Sequence, residues 1–282
     1  MAHSKLLFGT AGTPHSSRKK SSIEGIRRIH ELGLGCMELE FVRGVKMGEK
    51  TARKIHDTSR SENVKLSVHA PYYINLNSME EDKVKSSIER IYKSARIGAL
   101  CGADSIVFHP AYYQKTDPVK VYQKVAQMLV EIRTILDDEG INVTLRPEST
   151  GKGTQFGSID EILQLSAEIE GVLPCIDFSH LYARSKGKVN SYKQFYNVMT
   201  MTEEFLGREG LDNLHMHVSG IEYGNGGEKK HLNLEDADFN YMDLLRTFHE
   251  FDIKGLVICE SPNLETDAMI LKNKYQELKK QQ

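Results

Sequence analysis

The stretch SIVFHPAYYQKTDPVKVYQKVAQMLVEIRTILDDEGINVTLRPE, residues 105–148, decides the fold. Its opening run, SIVFHP (105–110), is short, apolar and β-rich, which predicts a strand. VYQKVAQMLVEIRTILDDEG then carries Val121, Val125, Met128, Leu129, Ile132 and Leu136 at helical spacing and stops at Gly140, so it predicts a helix with one buried face. NVTLRPE (142–148) is strand-like again. Strand, crossover helix and strand form the repeating unit of a parallel sheet.

The same unit recurs on both sides. Strand-like runs are LLFGT (6–10), CMELEF (36–41), KLSVHA (65–70), SIVFHP, NVTLRPE, PCIDFSH (174–180), NLHMHVS (213–219) and GLVICES (255–261). Their starts lie 30, 29, 40, 37, 32, 39 and 42 residues apart, enough each time for a strand, a helix and two loops. SSIEGIRRIHELG (21–33) shows the Ser21/Glu24 spacing of a capping box and ends at Gly33. Eight such units predict an α/β chain folded as a (β/α)₈ TIM barrel, one domain over 1–282, although an open doubly wound sheet carries similar local signals.

The chain has 282 residues, 37 Lys plus Arg against 39 Asp plus Glu, and four Cys. That balance excludes a broadly cationic nucleic-acid binder but says nothing about where the charge sits. Apolar runs are strand-sized, far below the ~18 residues of a membrane helix, and the start lacks a secretory apolar segment, so an intracellular protein without membrane contact is expected. Cys36, Cys101, Cys175 and Cys259 lie in apolar surroundings without a CxxC spacing, as reduced core residues do.

Histidines and acids concentrate where the strands end. His69, His109, His180 and His217 lie at or just beyond predicted strand ends, and His231 follows in the loop after strand seven. Glu148, Asp177 and Glu260 occupy equivalent places. In a TIM barrel these ends converge on the active-site face. Imidazoles and carboxylates suit Zn²⁺, Mn²⁺ or another divalent metal. One metal needs about four protein ligands, and eight candidates exceed that, whereas two or three metals sharing a carboxylate use them all.

Six segments, HAPYYINL (69–76), VFHP (107–110), PEST (147–150), CIDFSH (175–180), MHVS (216–219) and VICES (257–261), resemble in order those of endonuclease IV, the metal-dependent apurinic/apyrimidinic endonuclease family, across about residues 65–262. The resemblance implies a TIM barrel with a zinc centre of two or three ions that cuts damaged double-stranded DNA 5′ of an abasic site and leaves a 3′-hydroxyl. By the same resemblance His69 and His109 bind the first zinc, Glu148 bridges to a second held by Asp177, His217 and Glu260, and His180 and His231 serve a third. Glu148 and Glu260 are then the catalytic carboxylates, and Tyr72, Tyr73 and Arg43 the DNA contacts of a monomeric enzyme.

The sequence departs from that family at several points. The loop before His231 reads Lys229-Lys230 where the family has Asp-Arg, and the nearest acid is Glu228. Either Glu228 substitutes after a one-residue shift, or the third metal is weak or absent. Strand one lacks the family's histidine, and the loop FVRGVKMGEK after strand two differs too.

Two other readings stand beside this one. Glu148, Asp177, His217 and Glu260 equally suit the single metal of xylose-isomerase-like sugar isomerases and epimerases; His69, His109, His180 and His231 separate the classes. A non-catalytic damage-binding barrel is the third reading. Below the rim, Glu38 and Glu40, Arg146, and His215 share faces with neighbouring site residues. Glu38, Arg146 and His215 are expected to support the site, with Arg146 neutralising Glu38 or Glu40; Glu40 is a substrate contact in the isomerase reading. Basic loop residues including Lys152, Arg184, Lys229 and Lys230 are expected to form a rim that tracks phosphates.

Overall fold

The computed structural model describes residues 3–280. Eight parallel strands form the barrel: β1 (Leu6–Ala11), β2 (Cys36–Glu40), β3 (Lys65–His69), β4 (Ser105–Phe108), β5 (Thr144–Pro147), β6 (Cys175–Asp177), β7 (Leu214–Val218) and β8 (Gly255–Cys259). Each coincides with its predicted run, β1 extending it to Ala11. β1 lies between β2 and β8, and the sheet continues through β3, β4 and β5 on one side and β7 and β6 on the other. Parallel bridges Leu145–Val172 and Glu148–Cys175 join β5 to β6, so the sheet comes round on itself as a (β/α)₈ barrel.

Helices α1 (Ser22–Glu31), α2 (Glu49–Ser61), α3 (Glu81–Cys101), α4 (Pro118–Asp138), α5 (Ile159–Glu168), α6 (Phe178–Arg184), α7 (Tyr192–Leu211), α8 (Tyr241–Glu250) and α9 (Glu265–Lys280) connect the strands and follow the last. In α4 the expected stripe is buried at Val121, Val125, Leu129, Ile132 and Leu136. Pro118 opens that helix, Asp117 caps its first amides, and Gly140 beyond it takes a φ of 67°. The capping box expected at α1 is half made. Glu24 N–H donates to Ser21 Oγ at 3.3 Å, but the Glu24 carboxylate turns to Arg27 instead of back to the cap. A complete box sits at α5, where Ser158 and Glu161 satisfy one another and anchor the long loop after β5.

Two apolar layers result. The larger lies between sheet and helices; a small one inside the barrel joins Cys36, Leu256 and Ile258 to Leu7 and Ala11. Side chains alternate along each strand, so the inward series passes from this plug to polar groups at the C-terminal ends. All four cysteines are buried and free. Among the described residues no helix is long and apolar enough to cross a membrane.

Two accessory ribbons cover that end. Ala111–Tyr112 pairs antiparallel with Gln155–Phe156, tying the loops after β4 and β5. Gly220–Gly224 pairs with Gly227–Leu232 to make a hairpin after β7.

Candidate metal centre

Strand ends, their first loop residues and the hairpin after β7 bring all nine proposed ligands together. They form three sets, His69/His109/Glu148, Glu148/Asp177/His217/Glu260 and His180/Glu228/His231, and in each set one donor atom per residue lies within 4.8 Å of the others. Glu148 belongs to two sets and is fully buried. Its Oε2 lies 3.1 Å from His69 Nε2 and 3.0 Å from His109 Nε2, while its Oε1 lies 3.2 Å from His180 Nδ1 and 3.3 Å from His217 Nδ1.

Backbone carbonyls set the imidazole tautomers. A carbonyl only accepts, so the nitrogen facing it carries the proton. His69 Nδ1 meets Ala70 O at 2.8 Å, His180 Nδ1 meets Ser149 O at 2.9 Å, and His231 Nδ1 meets Glu260 O at 3.2 Å. In each ring Nε2 is therefore the nitrogen a metal would take, displacing any proton there. Burial alone would lower His69, but the Glu148 carboxylate raises it to about 10. Burial likewise opposes Glu148 ionising, yet His109 and His217 hold it well below the usual carboxylate range. Asp177 is pushed up to about 7 by burial.

The donor set suits divalent cations. Glu148 Oε1, Asp177 Oδ2 and His217 Nδ1 are buried without an aligned hydrogen-bond partner, and all three belong to one set. Buried polar atoms left bare cost about 1–3 kcal/mol each, and a cation among them removes that cost. Nitrogen and oxygen donors without thiolate fit Zn²⁺ or Mn²⁺. Cys175 approaches His215 and His217 from below, but burial raises its thiol, keeping it protonated.

In the third set Glu228 lies beside His180 and His231 despite the one-residue shift. Residues three apart on a regular strand face opposite ways. In the hairpin Glu222 pairs with Lys230 and Tyr223 with Glu228, so Lys229 is an inserted residue and the strand bulges. Lys229 and Lys230 both turn to Glu222, with Nζ at 3.1 and 3.4 Å from its carboxylate oxygens. The opposite face carries both Glu228 and His231 toward His180, whose Nε2 lies 3.5 Å from Glu228 Oε2. Glu228 N–H also donates to Gly151 O at 3.1 Å. A Cβ on Gly151 would come within 2.6 Å of Glu228 Cβ, so glycine is what admits this carboxylate. Nothing in the local sequence signals either the bulge or the role of Gly151.

The proposed DNA contacts are exposed on the same end. Tyr72 is 59% and Tyr73 70% exposed, and the Tyr72 ring lies 6.0 Å from that of His69. Arg43 is exposed in the turn after β2 and has no ion pair among the described residues. Arg184 is not free to meet phosphate as expected: its guanidinium donates to the carbonyls of Thr150, Lys152 and Gln155, holding the β5 loop. Lys229 and Lys230 are paired with Glu222, which weakens the expected basic rim there.

Arg146 also departs from expectation. It binds Ser105 Oγ, Pro174 O and Asn213 beneath the plug, and makes no ion pair with Glu38 or Glu40. Two residues earlier on an inward face places it a full layer below Glu148, out of reach of both acids. Glu38 is met instead by Ser67 Oγ at 2.7 Å, His215 Nε2 at 3.0 Å and His217 Nε2 at 3.0 Å. Glu40 keeps one buried oxygen unpartnered, and burial pushes it up to about 8.

The chain matches the model of the xylose isomerase-like TIM barrel over residues 26–280. It is 48% identical over 273 residues to an uncharacterised protein of Methanocaldococcus jannaschii, covering 97% of this chain and 98% of that one. A probable endonuclease 4 of the Aster yellows witches'-broom phytoplasma is 24% identical over 230 residues, 80% of this chain and 76% of that protein. Endonuclease IV from Thermus thermophilus superposes with a TM-score of 0.74 at 16% identity, covering 98% of this chain and 100% of that one. A D-tagatose 3-epimerase-like protein superposes at 0.67 and 21% identity over 91% and 96%. Both structural likenesses concern the fold.

Proposed function

The chain belongs to the xylose isomerase-like TIM barrel family, and from that premise we propose that it is a divalent-metal-dependent phosphodiesterase cutting double-stranded DNA 5′ of an abasic site. The observation that carries this reading is the three contiguous ligand sets, two of them sharing Glu148. A sugar isomerase uses one metal and has no need of His69, His109, His180, Glu228 and His231 beside the Glu148/Asp177/His217/Glu260 set. The similarity to probable endonuclease 4 sequences supports the same choice.

His69, His109 and Glu148 would hold one cation, Glu148, Asp177, His217 and Glu260 a second, and His180, Glu228 and His231 a third. Bound together, such ions polarise a phosphoryl group and acidify water for in-line displacement. The residues contribute position and charge. Glu148, buried at the centre, reaches His69 of one set through one oxygen and His217 of the other through its second. Glu260 is partly open to solvent and lies 3.5 Å from His217 and 3.7 Å from His231, and in this reading its carboxylate orients the attacking water at the rim. Tyr72 and Tyr73 offer aromatic faces to bases around the missing one, a contact worth ~1–3 kcal/mol per base. Arg43 offers a cation to the backbone.

Incubation of zinc- or manganese-reconstituted protein with a duplex carrying one tetrahydrofuran residue tests this. The expected result is a nick 5′ of the lesion ending in a 3′-hydroxyl, lost in Glu148→Gln and Glu260→Gln. Tyr72→Ala should weaken DNA binding about 5- to 150-fold, the loss of one stacking contact. Folded, metal-loaded protein that nicks nothing with any of these metals would sink the nuclease reading.

A further inference from the structure

The ring of His217 is held differently from those of its neighbours. His69, His180 and His231 each donate Nδ1–H to a backbone carbonyl and turn Nε2 to the cluster. His217 is reversed. Its Nδ1 faces Glu148 Oε1 at 3.3 Å and Glu260 Oε1 at 3.5 Å, while its Nε2 points down the barrel to Glu38 Oε1 at 3.0 Å. Neither Glu38 Oε1 nor His217 Nε2 has an aligned hydrogen bond, their own contact lying off the straight line of one, and the Cys175 thiol is the other group close to the ring from below. Two buried polar atoms 3.0 Å apart, each short of a hydrogen bond, would satisfy each other after a small turn of the ring, provided Nε2 carries the proton.

Glu38 is itself rigidly placed. Its second oxygen accepts from Ser67 Oγ at 2.7 Å and from His215 Nε2 at 3.0 Å, and both Glu38 and His217 are shut away from water. No arginine or lysine reaches it among the described residues, since Arg146 is engaged lower in the barrel.

We infer that Glu38 is the positioning residue of the metal held by Glu148, Asp177, His217 and Glu260: it fixes His217 with the proton on Nε2 and Nδ1 bare toward the cation. It replaces the backbone carbonyls that serve the other histidines, and as an anion it makes the imidazole a stronger donor. The inference rests on the metal-centre part of the proposed function and not on the DNA substrate.

The test is a zinc titration against a competing chelator, paired with ¹⁵N NMR of the histidine rings in zinc-loaded protein. Wild type should show His217 protonated at Nε2. Glu38→Met should lose about 10- to 100-fold in affinity at one ion, as removal of such partners typically does. Glu38→Gln keeps an oxygen that accepts from Nε2–H and should recover most of that loss, a rescue that a packing role would not predict. His217 metallated through Nε2, or equal zinc affinity in Glu38→Met, overturns the inference. Wild type that takes up no zinc defeats the metal centre and this inference together. Zinc bound as expected without DNA cleavage defeats only the nuclease reading, and the NMR result then stands by itself. Should Glu38→Met not fold, the wild-type ring assignment and Glu38→Gln decide the matter.

Discussion

Replacing Glu228 by alanine removes the one carboxylate of the third ligand set, and the bulge at Lys229 dictates where it can be put back. A unit charge ~2.1 Å from a dication is worth about 4 kcal/mol even at the dielectric constant of water, about a thousand-fold in affinity. Glu228 is largely sheltered, so this screening is an upper bound and the loss a lower one. Zinc per chain after dialysis, measured by plasma mass spectrometry, should therefore fall by one ion in Glu228→Ala, with the thermal midpoint marking retained fold. Restoring the acid two residues before His231, as Glu228→Ala with Lys229→Glu, should not bring the ion back. Position 229 faces Glu222 on the far side of the hairpin. Deleting Lys229 from the wild-type chain leaves Glu228 and His231 two apart on a regular strand and again on one face, so the ion should remain. Recovery of zinc in the double variant, or no loss in Glu228→Ala, would refute the bulge argument.

Gly151→Ala should weaken the same ion by about 10- to 100-fold, the usual cost of disturbing a ligand's support, because the new methyl meets Glu228 Cβ at 2.6 Å and Oε2 at 2.8 Å. Chelator titration should show the other two sets unchanged; a uniform loss would mean a folding defect instead. Glu40 predicts a pH dependence in chelator-treated protein. Its folded pKa of about 8 lies above the ordinary 4.5, so between these values the folded chain holds a proton the unfolded chain has released. Stability should therefore fall as pH rises through that window, by up to about 1.4 kcal/mol per pH unit. Glu40→Gln has no proton to lose and should flatten urea-unfolding curves measured from pH 5 to 8; identical slopes would show that Glu40 is not held neutral.

Much of the site was legible because barrel geometry converts sequence position into place. Residues such as His69, Glu148, Asp177 and His217 sit at strand ends, and every strand end points to one rim. The alternation that sends Glu148 inward also sends Arg146 inward, which correctly suggested a buried cation below. It could not say that one layer separates Arg146 from Glu38, because stagger is set between the strands of the sheet and not within one strand.

Sequence by itself determined the eight strand–helix units, the rim on which the site is built and eight of the nine converging side chains, since hydrophobic period and strand spacing are properties of the chain read locally. Only the tertiary structure decided that Glu228 lies beside His231 despite its spacing, that Arg184 staples a loop, and that His217 faces Glu38. A bulge is an offset between two paired strands, and the contact of His217 with Glu38 joins β7 to β2 across most of the chain. Such contacts depend on register and stagger across the closed sheet, which no single stretch of sequence encodes.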